Sequence, residues 1–375
     1  MHTEPLTIEP AVPALSTRRR WCLGTRFLVG ITVAWLVFVV AQRLLSGHWW
    51  LWLLVDVVPP ALFVLVPLLL LLSVPILLAC RVRLPVSARW SVVGVAVLAG
   101  SLGFDQSGVN LTGSDGPVPP GSLHVFAWNT QYWDQTDNPN RFYAFLKARH
   151  ADVYLLQEYL NWDDEKDDKG AIRVLDTARL HREFPGYTLV TRGELLTLSR
   201  FPVVAQPLVS PDRLNVDWQT EFENAKVLRT DVLVKGRIVS FYNVHIPVQL
   251  DLSRGILHSS FYDYTQQANT ERHAQFTGLQ ADVAANRNPT LVAGDFNTSP
   301  AMADLAGLRD TMQVASGSVY PSSWQSSGWM RFWRLDWTFT RGIGVHRYGF
   351  EDAQGMSDHR PQDMMISIPG LTTAG

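Results

Sequence analysis

The sequence predicts a layered α/β domain carried behind a helical membrane region. Three observations lead there: long uncharged runs sit near the N-terminus, short β-like runs alternate with helical patterns from Leu123 onward, and charge divides sharply between the two parts. The first 104 residues hold eight Lys and Arg against three Asp and Glu, a net of +5, whereas the remaining 271 hold 24 against 31, a net of −7. The overall net of −2 and the 47% hydrophobic content therefore average two different objects. Both cysteines, Cys22 and Cys80, fall in the first part. The larger part thus contains no disulfide or cysteine metal site and must rest on an ordinary apolar core, which its length allows.

Residues 1–26 read as a cytoplasmic segment and 27–104 as the membrane region. Phe27–Leu45 carries one charge near its end and Ala61–Cys80 carries none, and each approaches the ~20 apolar residues that cross a bilayer. Pro67 and Pro75 are compatible with a span, because neighbouring helices satisfy the freed carbonyls. Trp90–Phe104, about 15 residues rich in Val, Ala and Gly, reads as a third, thinner span, with a buried strand as the alternative. Arg18, Arg19, Arg20 and Arg26 precede the first span, and Arg81, Arg83 and Arg89 separate the second from the third. Residues 46–60 hold no Lys or Arg, and none follows the third run until Arg141. Cations favour the cytoplasmic side, so the large domain is expected to face out of the cytoplasm, with Arg43 a mild dissent. Trp49, Trp50 and Trp52 fit an outer aromatic belt. Were the third run not to span, the domain would face the cytoplasm instead. STRRRW and the LLAC ending at Cys80 are loose matches to an export leader and a lipidation site. Further spans follow the first and Cys80 lies deep in the chain, so Arg18–Arg20 read as topology charges.

Residues 105–122, DQSGVNLTGSDGPVPPGS, read as a flexible Gly/Pro-rich tether, and 123–375 as one domain. Strand candidates are Leu123–Trp128, Asp152–Gln157, Tyr187–Val190, Leu195–Leu198, Val227–Val234, Ile238–Val244, Thr290–Ala293, Trp337–Phe339 and Met364–Ile368. One helix carries Phe142, Phe145 and Leu146, and a longer one over about Thr270–Ala285 carries Phe276, Leu279 and Val283 on one face. Many strands with interspersed helices imply packed sheets and helices.

Several strands run into polar residues that a strand does not need: Asn129, Glu158, His245, Asp295 with Asn297, and later Asp336, Asp358 and His359. Singly, each reads as a turn former or a satisfied histidine. Together, on one rim, they build an oxygen-rich site suited to a hard cation such as Mg²⁺, with His as acid, base or phosphate donor. A cysteine cluster, HExxH, a Walker loop, GxSxG and GxGxxG are all missing, which disfavours zinc, nucleotide-loop and serine chemistries. The residues point to metal-assisted attack of water on a phosphate ester.

From Leu123 to about Ile368 the order of these motifs resembles the endonuclease/exonuclease/phosphatase superfamily. The pieces are WN at Trp128–Asn129, LQE ending at Glu158, LSRFPV at Leu198–Val203, NVHIP around His245, GDFN at Gly294–Asn297, LDW at Asp336 and SDHRP at Ser357–Pro361. Membrane spans ahead of the domain are similar to a bacterial subgroup. The resemblance implies a four-layered α/β sandwich and a Mg²⁺-dependent phosphoesterase, Mn²⁺ being the substitute ion. It implies Glu158 as principal metal ligand, with Asn129 and Asp358 close to the metal or its waters. It implies Asp295 to orient and deprotonate water, Asn297 to hold the phosphate, His359 paired with Asp336 to stabilise developing charge, and His245 as a second phosphate-side donor. Where apurinic endonucleases place a metal-binding Asp two residues after the WN asparagine, this chain has Gln131, which favours one metal over two.

Ser322–Trp337 sets five aromatics, with Arg331 and Arg334, around Asp336. These either contact substrate, by stacking on a base or gripping a lipid headgroup, or pack under a loop. The acidic run Asn161–Lys169 reads as a solvated loop, and residues 105–375, at net −7, lack a basic nucleic-acid footprint. The expected substrate is a phosphate ester, either nucleic acid or a phospholipid or phosphosugar, reached from a multi-pass anchor in the cell membrane. The competing expectation is a non-catalytic receptor or scaffold that binds a phosphorylated ligand.

Overall fold

The computed structural model describes residues 21–111, 113, 116–132, 138–163, 170–325 and 331–370. Arg18–Arg20, Asp164–Lys169 and Trp329 lie outside the described residues. Three long helices come first: α1 Leu23–Leu45, α2 Leu62–Ala79 and α3 Val86–Gly103, all long and apolar enough to cross a membrane. The third run is therefore helix rather than strand, and it starts at Val86, ahead of Trp90. Its buried stripe is Ala88, Val92, Ala96, Ala99 and Gly103, small residues that let it pack closely against α1 and α2. Between α1 and α2 the chain makes a turn at Trp50–Trp52 and one helical turn at Leu53–Asp56.

The domain that follows runs β1 Leu123–Asn129, α4 Pro139–Arg149, β2 Val153–Gln157, β3 Leu160–Trp162, β4 Ala171–Arg173, α5 Thr177–Glu183, β5 Thr188–Arg192, β6 Leu195–Ser199 and β7 Val203–Ala205. It continues with α6 Trp218–Asn224, β8 Val227–Val234, β9 Arg237–His245, α7 Ser259–Ala285, β10 Thr290–Asp295, α8 Ala306–Thr311, β11 Gln313–Val314, β12 Asp336–Arg341, β13 Gly344–Phe350 and β14 Gln362–Ser367. Among the described residues, β13-β14-β1-β2-β6-β5 form one six-stranded sheet and β11-β12-β10-β9-β8-β7 a second, with β3 and β4 a small hairpin. Val125, Ala127, Val153 and Leu155 of the first sheet face Val232, Val239, Phe241 and Leu291 of the second across the central core. The opposite face of the first sheet buries Phe126 and Trp128 with Phe142 and Phe145 of α4. The outer face of the second buries Tyr242 and Val292 with Phe276, Leu279 and Val283 of α7. The result is four layers, helix–sheet–sheet–helix, in which each apolar strand face is covered.

Two polar ties cross the central core near one edge. Gln157 Nε2 donates to Asn243 Oδ1 (2.5 Å), and Asn243 Nδ2 donates to the carbonyls of Leu156 (2.9 Å) and Leu196 (3.1 Å). Thr338 Oγ1 donates to Gln362 Oε1 (2.8 Å). Such buried groups fix sheet-to-sheet register because any slip leaves them unsatisfied.

Two described positions within 105–122 bond back to the domain. Asn110 N donates to Val319 O and Gly116 N to His346 O, both at 2.8 Å. The anchor itself is docked: Ala301 is buried with Val39 and Phe63, and Trp35, Phe38 and Leu102 pack around them. Gln42, 1% exposed, donates to Ala301 O (3.1 Å) and Asp56 Oδ1 (2.5 Å) and accepts from Trp52 Nε1 (2.8 Å). Ala303 N donates to Ser46 Oγ (3.1 Å), Trp333 Nε1 donates to Val57 O (3.2 Å), and α7 packs against the Trp50–Trp52 turn.

Gln42→Leu strands two buried acceptors, Ala301 O and a carboxylate oxygen of Asp56. The expected cost is about 1–3 kcal/mol. Hydrogen exchange of the full chain in micelles is expected to quicken at 299–304 and stay unchanged in Val125–Asn129; equal protection at 299–304 would show that the contact does not hold the loop.

Candidate active site

The topology explains why the polar strand ends meet. β1 and β2 are parallel neighbours, as are β9 and β10, so Asn129, Glu158, His245 and Asp295 leave their strands on the same edge. β12 and β14 run antiparallel to β10 and β1, which puts Asp336 and the Asp358–His359 segment, at their starting ends, on that edge too. His245, Asp295 and Asp336 stand side by side in register across three strands.

The Asn129 amide bridges the two sheets, donating to Glu158 Oε1 and to Asp295 Oδ2, each at 2.9 Å. Glu158 sits immediately after β2 with φ +53°, a left-handed backbone that turns its side chain into the rim. One acceptable ligand atom from each of Glu158, His245 and Asp295 lies within 4.8 Å of the others, and the same holds for Asp295, Asp336 and His359. His359 Nδ1 is 2.8 Å from Asp336 Oδ2, while its Nε2 faces Asp295 Oδ2 at 3.5 Å. Asn297, at φ +45°, folds back so that its N–H donates to Asp295 Oδ1 (2.8 Å) and its amide donates to Ile246 O (2.9 Å) beside His245.

Charge in this cleft is poorly solvated, and the protonation states reflect it. Burial pushes Glu158 up to about 7, although His245 pulls the other way. Burial also raises Asp295 against the pull of His359. For His359, burial opposes the charge, but Asp336 and Asp295 overcome it and hold the imidazolium well above the ordinary histidine range. Burial works to raise Glu194 as well, yet His245 and Lys226 beside it hold this carboxyl at about 2.

Glu194 was not legible as a site residue. It precedes β6, which runs antiparallel to β2 and so starts on the site edge, and its Oε1 lies 2.9 Å from His245 Nδ1. Lys226 pairs with it from the start of β8. Trp324 was one of the five aromatics; its Nε1 donates to Asp358 Oδ2 (2.8 Å) and its ring tilts over His359. Gln131 orients Asp358, whose N–H donates to Gln131 Oε1 at 2.8 Å. Asp358 is partly exposed, and its Oδ1 lies 3.9 Å from His359 Nε2. Neither expected arginine enters the cleft. Arg334 is buried and turned away, donating to Ala315 O (2.7 Å) and stacking on Trp337, while Arg331 donates to Gln325 on the surface. Trp333 and Phe332 pack on each other, and Trp333 holds the anchor.

The cleft measures about 450 Å³. Glu158, His245, Asp295, Asn297, Asp358 and His359 form its floor, and Tyr132, Trp162, Phe222 and Tyr264 give it an aromatic side. Beneath lies Arg272, 1% exposed, donating to Pro247 O (2.6 Å) and Thr298 Oγ1 (2.8 Å) and lying 3.8 Å from Asp304. It joins the loops after His245 and Asn297. A charged residue at position 272, in line with Phe276 and Leu279 on the buried face of α7, was its signal in the sequence.

The sequence model of the Endonuclease/Exonuclease/phosphatase family matches residues 126–359. The chain belongs to this family. No curated protein matches. Among solved structures it is similar to an endonuclease/exonuclease/phosphatase family protein from Leptotrichia buccalis C-1013-b (15% identity, TM-score 0.46, covering 66% of this chain and 100% of that one). It is also similar to an AP endonuclease from Archaeoglobus fulgidus (13%, 0.43, 66% and 100%) and a mannosyl-6-phosphatase from Bacteroides thetaiotaomicron VPI-5482 (13%, 0.45, 66% and 100%). The matched span runs from β1 to His359 and so contains every site residue named above.

A raised carboxyl costs the metal-free fold stability once it ionises. For Glu158 the stability is fully present below its ordinary value near 4.5 and falls as pH rises toward about 7. Glu158→Gln is therefore expected to stabilise the metal-free chain at pH 8, on the order of 2 kcal/mol, and much less at pH 5. Added Mn²⁺ should raise the Tm of the original chain and not of the variant; a Tm difference independent of pH would refute this.

Proposed function

We propose that this chain is a membrane-anchored hydrolase of phosphate esters that works with one divalent cation, Mg²⁺ with Mn²⁺ as substitute, on the outer side of the membrane. The observation that carries the reading is the Asn129 bridge, which brings Glu158 and Asp295 from different sheets beside the His359–Asp336 pair. A cluster of carboxylates in a cleft calls for a cation. Glu158 would hold it, with Asp358 and Asn129 at its edge, and their oxygen donors suit Mg²⁺. When bound, the ion supplies Lewis-acid polarisation and neutralises phosphate charge.

The remaining work falls to this chain's own side chains. Asp295, kept in place by Asn129 and by the Asn297 N–H, takes a proton from the attacking water. Its raised pKa matches that task better than an ordinary carboxylate would. His359 is kept cationic by Asp336, which also fixes Nδ1 as the protonated nitrogen toward it; Nε2–H is left to donate to a phosphoryl oxygen as charge develops. Asn297 and His245 hold the other side of the phosphate. Gln131 is committed to the Asp358 N–H. That supports a single-metal site. Arg334 and Arg331 carry no substrate role in this reading. The outward orientation rests on the cation distribution around three spanning helices. Pure ligand binding would not require Asp295 and His359 side by side, so the receptor reading is the weaker one.

With the full chain in micelles, Mg²⁺-stimulated hydrolysis of bis-p-nitrophenyl phosphate is expected. Asp295→Ala and His359→Ala should each lower kcat by roughly 10²–10⁴-fold. Persistence of hydrolysis in both variants, or its indifference to EDTA, would sink the proposal. Asp336→Asn should also move the alkaline limb of the pH–rate profile to lower pH, because Asp336 is what raises His359; an unmoved limb would remove His359 from the acid role.

A further inference from the structure

The docked anchor fixes how far the cleft stands from the bilayer. Ala301 is buried among Val39 near the end of α1 and Phe63 near the start of α2, with Leu102 at the end of α3. Those three positions share one end of the helical bundle. Ala301 is four residues from Asn297, and an extended chain covers at most ~3.6 Å per residue, so Asn297 lies within about 14 Å of that end. The polar headgroup region itself occupies about 5–7 Å of each leaflet. The cleft floor therefore stands no more than about 14 Å from that end, two to three headgroup thicknesses.

A second observation lies on the cleft wall. Pro247 and Val248 line the cleft, and the segment they begin exposes Leu252, Ile256 and Leu257 at 69%, 56% and 92%. Three exposed large aliphatic residues within six positions are unusual for a surface that meets only water. The charges among them are neutralised locally: Arg254 Nε lies 2.9 Å from Asp251, and its guanidinium stacks over Tyr264, another cleft residue. The segment leads straight into α7, which packs against the Trp50–Trp52 turn beside half-exposed Trp49. Tryptophans at the end of membrane spans sit at headgroup level. The exposed aliphatic lip and the tryptophan turn of the anchor are thus connected through α7.

We propose that Leu252, Ile256 and Leu257 insert into the leaflet from which the anchor emerges, and that the phosphate ester taken by the cleft is carried on a lipid of that leaflet. The substrate half rests on the hydrolase reading above, and the lip does not. The net charge of −5 on residues 123–375 repels a nucleic-acid polyanion far more than a single headgroup phosphate. For a lipid phosphodiester, the oxygen of water bonds to phosphorus, one ester P–O bond breaks, and the departing oxygen leaves with a proton from that water.

The full chain with Cys22→Ser and Cys80→Ser, carrying Leu257→Cys labelled with NBD, is placed in nanodiscs of phosphatidylcholine and phosphatidylglycerol (4:1). NBD emission is expected to shift to the blue and to be quenched by doxyl-labelled lipid at least threefold more than at the exposed control Leu175→Cys; equal quenching overturns the lip. In vesicles of the same lipids, loss of phosphodiester is followed by ³¹P NMR. Leu252→Ser with Ile256→Ser and Leu257→Ser should slow it at least tenfold while leaving bis-p-nitrophenyl phosphate turnover unchanged. Faster hydrolysis of single-stranded DNA than of lipid, untouched by the triple variant, overturns the substrate class. A shifted NBD signal in a chain that hydrolyses none of the three overturns the hydrolase reading and its lipid substrate, and supports the lip.

Discussion

Two carboxylates from different sheets, the partly buried Glu158 and the buried Asp295, are held together through the amide of one asparagine, Asn129. Like charges in a weakly solvated cleft repel, so the arrangement persists only because other groups offset it. His359 and His245 supply positive charge, Asn129 and the Asn297 N–H supply hydrogen bonds, and part of the repulsion is relieved by protonation, as the raised Glu158 and Asp295 show. The rest of the fold exists, in this sense, to keep the two sheets from relaxing apart. The Gln157–Asn243 and Thr338–Gln362 ties lie one or two residues from Glu158, His245 and Asp336, where a sheet slip would be felt most.

The polar floor of the site was legible because each member interrupts an apolar strand at its end. His245, Asp295 and Asp336 are even the terminal residues of β9, β10 and β12. Sequence could not show on which face of the loop a side chain leaves, and Arg334 illustrates the loss: two residues from Asp336, it stacks backward on Trp337. Glu194 was hidden for a different reason. Its role follows from strand pairing, since only the antiparallel match of β6 to β2 carries a turn residue to His245.

The elements whose extent was misjudged share a cause. α7 was expected from about Thr270 and begins at Ser259, and the third span was expected from Trp90 and begins at Val86. In neither does the unrecognised part join the apolar clusters that cover a sheet face. Phe261, Thr265 and Ala268 extend the buried stripe of α7 beyond the sheet-facing Phe276, Leu279 and Val283, and α3 buries small residues against α1 and α2. A stripe of mixed polarity gives a weak periodic signal when its partner is a tryptophan turn or a helix crossing instead of an apolar sheet.

That shared cause changes what the anchor is. The loop that carries Asp295 and Asn297 continues through Thr298, held by Arg272, to Ala301, held by Gln42, and to Ala303, held by Ser46. Arg272 reaches at the same time to Pro247 O, at the root of the loop after His245. Two of the loops that border the cleft are therefore linked through one buried guanidinium, and one of them is held to the end of the apolar helical bundle. A tether would leave the domain free to turn its cleft in any direction. Bracing of this kind gives the cleft one orientation and one distance relative to the three apolar helices.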